Sequence, residues 1–125
     1  MDAEVTGLDG CVVQVVHPER VAAARRGLLS TQEMQGVSEM FRVLGDPGCA
    51  RIVSALVEAG ELCVCDLSEA LALPPTAVGS LLRRLRGAGI VRSREDGRMV
   101  HYSVTDAHVR LLIDLSAEHL RHPRS

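Results

Sequence analysis

A mainly α domain carrying one β-hairpin is what this sequence predicts, on three observations. Apolar residues make up 46% of the 125-residue chain and aromatics only 2%, so the core has to be built from Leu, Val, Ile, Ala and Met. Leu- and Ala-rich cores suit packed helices. Apolar positions recur at helical spacing between residues 31 and 88. Around Asp96-Gly97 the pattern changes to two short β-type runs, and Asp-Gly between such runs signals a hairpin.

Residues 1–17 read as a flexible arm. Their start, MDAEVTGLDG, is acidic and lacks an apolar run, so it is not a secretory signal. No stretch approaches the roughly 18 apolar residues of a membrane span. A cytoplasmic protein without a membrane partner is expected, and cytosolic thiols stay reduced. The four cysteines are then free thiols, buried filler or metal ligands rather than a disulfide framework.

Residues 18–29 read as a short helix with Pro18 at its start. Residues 31–44 place Met34, Val37, Met40, Phe41 and Leu44 at helical spacing, with Thr31 as cap. Asp46-Pro47 opens a helix to about Ala59, with Ile52, Val53, Leu56 and Val57 inward and Gly60 as its stop. Asp66 is expected to cap the two-turn helix DLSEALAL, with Glu69 at capping-box spacing. After Pro74-Pro75, Thr76 starts a helix that buries Leu81, Leu82 and Leu85 and ends at Gly87 and Gly89. Residues 90–95 and 99–104 are the hairpin strands, and a last helix runs from Asp106 to about His119. Helices, two helices joined by a tight turn, a hairpin and a final helix make a winged helix-turn-helix. One such domain is expected over residues 18–122, with 123–125 as a tail.

This order, carrying ELCVCDL at 61–67, VLGDPGCARI at 43–52, LLRRLRGAGIV at 81–91, REDGRMVHYSV at 94–104 and DAH at 106–108, resembles the ArsR/SmtB family of metal-sensing bacterial repressors. ELCVCDL is the most specific element and is most like the cadmium/lead-responsive members. The resemblance covers about residues 31–122. It implies a homodimer joined through its N- and C-terminal helices, bound to operator double-stranded DNA when metal-free and released by metal.

The net charge of −2 excludes a globally basic protein, yet Arg83, Arg84, Arg86, Arg92, Arg94 and Arg98 crowd one short segment. That is a local electrostatic footprint for phosphates, and arginine also reads guanine in the major groove. Thr76, Ser80, Arg83 and Arg84 are the candidate contacts on the reading helix, with Arg86 beside them and Arg94 and Arg98 on the wing. Family members often carry Ser and His where this chain has Val78-Gly79-Ser80-Leu81. Gly79 costs the helix about 1 kcal/mol relative to Ala and would admit a close approach of the DNA backbone. The bland alternative is a solvated helix face.

Cys63 and Cys65 would splay by about 200° inside a regular helix. At a helix start Cys63 is still outside the helix, and both sulfurs can converge. A helix N-terminus favours thiolate, and two thiolates suit a soft cation: Cd(II), Pb(II), Zn(II), As(III) or Sb(III). The arsenic sensors that the chain resembles carry a third Cys where this chain has Ser68, whereas the cadmium/lead sensors take thiols from an N-terminal arm. The resemblance aligns Cys11 with the first arm cysteine and Val15 with the second, implying a trithiolate of Cys11, Cys63 and Cys65. His17 is a further candidate ligand. Cys49 reads as a packed core thiol.

On the last helix, His108 and His119 lie 11 residues apart and share a face, about 16 Å apart along the axis. Zinc–nitrogen bonds are about 2 Å, so one chain cannot bring Asp106, His108, His119 and His122 to one ion. An antiparallel partner helix would, and two-fold symmetry would give two sites. This matches the zinc-site pattern of the family's zinc sensors, except that His122 stands in place of Glu. Leu111, Leu112 and Leu115 supply an apolar seam for the dimer. The bland alternative is a set of solvated histidines.

Two other readings compete. A zinc sensor acting through the last helix and a thiol-oxidation sensor acting through Cys63 and Cys65 would use the same fold. An enzyme with a cysteine nucleophile would need an ordered Cys/His pair or a phosphate loop, and the sequence signals neither.

Overall fold

The computed structural model describes residues 15–122. Among them are helices α1 (Pro18–Gly27), α2 (Thr31–Leu44), α3 (Pro47–Ala59), α4 (Val64–Leu71), α5 (Pro75–Gly87) and α6 (Ala107–Arg121). Three short strands, β1 (Leu62–Cys63), β2 (Val91–Asp96) and β3 (Met99–Val104), form an antiparallel sheet in the order β1-β3-β2. This is the expected mainly helical fold with a β-hairpin wing. No described helix is long and apolar enough to cross a membrane.

The described residues divide into two compact units, one up to Glu33 and one from Met34. The first holds α1, none of whose residues is buried. It ends in a capping box: the Ser30 N–H donates to the Glu33 carboxylate at 3.0 Å and the Glu33 N–H to the Ser30 hydroxyl at 3.1 Å. Ser30, not the expected Thr31, is therefore the side chain that caps α2.

The second unit holds the core. Ile52, Val53 and Leu56 of α3, Leu67 of α4, Val78, Leu82 and Leu85 of α5, and Ile90 and Val91 at the start of the wing pack into one cluster. Asp46 caps α3, accepting from the Cys49 N–H at 3.0 Å, and Gly60 (φ +90°) stops it. Cys49 is fully buried, the core thiol expected of it, and burial pushes its thiol pKa up while Arg84 pulls it down.

Three boundaries differ from expectation, each for a local reason. The N-cap of α4 is Cys63, and Asp66 sits a turn inside, its carboxylate accepting from the Cys63 N–H at 3.3 Å. The box is thus Cys63/Asp66 rather than Asp66/Glu69. Pro75, not Thr76, opens α5, as a proline with no N–H to leave unpaired at a first helical position does. In the hairpin Asp96 pairs with Met99, so the two-residue loop is Gly97-Arg98 with Gly97 at φ +63°, the place where a type II′ turn wants glycine.

Candidate metal centre and nucleic-acid interface

β1 is two residues long and leads straight into α4. Leu62 pairs with Tyr102 and Cys63 with His101 on β3, while His101 pairs on its other side with Arg94 of β2. Residues directly opposite in an antiparallel ladder project to the same face. Cys63, His101 and Arg94 therefore form one row across the sheet, on the face opposite Leu62, Tyr102 and Ser93.

Glu61, two residues before Cys63, reaches across this face. Its carboxylate accepts from Arg94 Nε at 3.0 Å and Nη2 at 2.9 Å, a bidentate pair between residues 33 apart. Those hydrogen bonds hold the Glu61 carboxyl below the usual carboxylate range, with smaller help from the charges of Arg94, His101 and Arg92. Sequence reasoning missed Glu61, His101 and β1. A two-residue strand has no periodicity of its own, and only its partner on β3 defines it.

Cys63 is buried and Cys65, one turn-start later, is exposed; both are free thiols. Cys63 keeps an extended conformation (φ −89°, ψ 174°), so it lies outside the helix as expected. Among the described residues no three His, Cys, Asp or Glu side chains already converge on one point. Cys11 lies outside the described residues. His17 is the exposed N-cap residue of α1, with no side-chain cap hydrogen bond. Ser68, where the arsenic sensors have their third cysteine, donates its hydroxyl to the Leu73 carbonyl and helps close α4.

On α5, Thr76, Ser80, Arg83, Arg84 and Arg86 are all exposed. Arg83 Nη2 donates to Ser80 Oγ at 3.2 Å, which leaves its remaining donors to solvent. Arg84 lies 3.4 Å from Asp46, the cap of α3, so its charge is already partly matched. Arg94 is taken by Glu61, whereas Arg98 stands in the exposed hairpin loop. A Cβ at Gly79 would meet only Arg83 Nη1 at 3.9 Å, so nothing inside the fold demands glycine there.

α6 is regular to Arg121, which keeps His119 within the helix. Asp106 caps it through the His108 N–H at 2.9 Å, with His108 Nδ1 3.4 Å from the same carboxylate oxygen. His122 Nε2 lies 2.9 Å from Glu118 Oε2, a carboxylate that the sequence reading did not single out. Leu111 and Leu115 are exposed, as a seam requires, but Leu112 is half buried.

Residues 46–93 match the model of the bacterial regulatory protein arsR family. A transcriptional repressor SmtB homolog of Synechocystis sp. is 40% identical to the chain over 111 residues, 89% of this chain and 83% of that one. The chain belongs to the ArsR family. This ArsR-family protein is also 33% identical to a cadmium resistance transcriptional regulatory protein CadC homolog of Staphylococcus aureus, over 90% of this chain and 93% of that one. Among solved structures, that of the AntR antimony-specific transcriptional repressor is 30% identical, with a TM-score of 0.68, covering 86% of this chain and 95% of that one. The ArsR-family chain is thus a winged-helix transcriptional regulator and not an enzyme.

Membership of a DNA-binding family turns the arginine cluster into an expectation about affinity. Arg83→Ala should weaken operator binding and reduce the salt slope by about one released counterion. Arg84→Ala should do less, because Asp46 already matches part of its charge. Anisotropy titrations between 50 and 200 mM salt separate the two; an Arg83→Ala protein with the wild-type slope removes Arg83 from the interface.

Proposed function

We propose that a homodimer of this chain holds operator DNA when metal-free and releases it on taking up a thiophilic ion at Cys63 and Cys65, completed by Cys11. The observation that carries this is the position of the cysteine pair. Cys63 ends a strand paired to the wing, and Cys65 lies in the first turn of the helix that precedes the reading helix. A ligand held there bridges the strand paired to the wing and the helix that leads into the reading helix. Cd(II) or Pb(II) is the favoured inducer, with Zn(II), As(III) and Sb(III) as the alternatives. Support comes from the soft donor set, from the relative named for cadmium resistance, and from Ser68, which is engaged in closing α4 rather than free to ligate.

A dimer is supported by apolar side chains that one chain leaves in water: Phe41 of α2 and Leu111, Leu115 and Leu120 of α6. A second reading, a zinc-type site of Asp106, His108, His119 and His122 between two antiparallel α6 helices, is favoured by the regularity of α6 through His119. The two sites are separable, since they share no residue.

Metal would tie the arm of one subunit to the reading domain of the other and fix a spacing that no longer matches two successive major grooves. About 2.7 kcal/mol of coupling suffices for a hundredfold loss of DNA affinity. To test it, mix Cys11→Ser subunits with Cys63→Ser/Cys65→Ser subunits. The heterodimer should keep one intact trithiolate site, seen as an ultraviolet thiolate-to-metal charge-transfer band with Cd(II) under reductant. A mixture without that band means that the arm closes on its own chain or does not ligate. Release by peroxide with no response to metal would identify an oxidation sensor instead.

A further inference from the structure

We propose that His101 of the wing supplies a nitrogen ligand to the ion held by Cys63 and Cys65, so that metal uptake fastens β3 to the start of α4. This rests on the cysteine site proposed above and deepens it.

The argument starts from register. Cys63 and His101 are direct partners across the β1·β3 ladder, so their side chains share a face with Cβ atoms roughly 4.5–5.5 Å apart. A tetrahedral zinc ion, with a bond of about 2.3 Å to sulfur and about 2.0 Å to nitrogen, holds those two atoms roughly 3.5 Å apart, and a larger ion such as Cd(II) somewhat further. Two side chains springing from opposed strand positions span that distance without moving backbone. Three thiolates leave one place on a four-coordinate ion, for which His101 competes with His17.

The surroundings suit a ligating imidazole. Cys63 is buried yet lies outside the apolar cluster of the core, and His101 is half buried beside it. Histidines that bind metal usually donate their other ring N–H to a carboxylate, which fixes the ring and raises its basicity. Glu61 is held on this face by two hydrogen bonds from Arg94, the ladder partner of His101 on its other side. Cys65 is exposed and free to turn. Because no three of these groups converge beforehand, closure requires a rotamer change at Cys65 or His101. The consequence is a route to the DNA within one subunit: from the ion through His101 to β3, and through the β2·β3 ladder to Arg98 in the loop.

The test uses the reduced full-length dimer, cadmium-113 and nitrogen-15 labelling. We expect one imidazole resonance to gain a coupling to cadmium as the thiolate charge-transfer band grows, and that resonance to be missing from His101→Gln. His101→Gln should keep the band but bind cadmium at least tenfold more weakly. A full band with no cadmium-coupled imidazole from His101 overturns the proposal while leaving the cysteine site standing. No band at all in the wild-type protein overturns the cysteine site and this inference with it. The coupling is read in the wild-type protein, so the answer does not depend on the variant folding.

Discussion

A Cys63→Ser protein will stay on its operator at metal concentrations that release the wild type. Serine matches cysteine in shape but offers a hard hydroxyl to a soft ion, so little strain enters the fold while the site loses its anchor on the sheet. The coupling also loses its lever, because among the described cysteines Cys63 is the one placed by a ladder partner on the wing. If metal costs the wild type about a hundredfold in DNA affinity, roughly 2.7 kcal/mol, the variant should lose close to none. Cys65→Ser should behave the same way. Cys49→Ser is the control: Cys49 is fully buried among core side chains, out of reach of an incoming ion, and its variant should keep the metal response. The measurement is anisotropy of an operator fragment selected by the metal-free protein, titrated with Cd(II) in excess reductant. A wild-type response in Cys63→Ser would move the inducer site elsewhere, with the α6 histidines next in line.

Leu56→Ala should cost the most stability. Leu56 has no exposed surface and packs in the cluster that joins α3, α4 and α5. Its carbonyl also accepts the Gly60 N–H at 2.7 Å, the bond that closes α3 just before β1. Truncating a buried leucine removes transfer free energy and leaves a cavity, together about 2–5 kcal/mol. Against a total of about 5–15 kcal/mol, that is a large share. The thermal midpoint should fall by roughly 10 °C or more. Differential scanning calorimetry in the presence of reductant checks it, and a shift of only a degree or two would mean that this core is not packed as described.

How much of this the sequence carried depends on whether a feature is local. Asp46 before Pro47, Gly60 after Ala59 and Gly97 between two β-type runs each act within a few residues, and all three appear in the structure in those roles. Helix α5 and its exposed arginines follow from helical spacing in the same way. Errors of one to three residues arose where nearby residues compete for one role, as Ser30 and Thr31 do for the cap of α2 and Cys63 and Asp66 do for that of α4. What stayed hidden is non-local. β1 exists because β3 pairs with it, and nothing in Leu62-Cys63 alone announces a strand. Likewise His101 gains meaning only from a partner 38 positions earlier, and Arg94, counted for DNA, is claimed by Glu61 across the sheet. The cysteine pair was legible because its spacing is unusual.

One measurement bears on the central claim most directly: DNA release and metal–thiolate bond formation followed together in one sample. Cd(II) is added stepwise to the reduced protein bound to fluorescent operator, while anisotropy and the charge-transfer band are recorded at each step. If uptake at Cys63 and Cys65 drives release, the two signals rise in proportion and saturate together, at one ion per subunit. Release complete before the band appears, or a saturated band with the DNA still bound, would contradict the account.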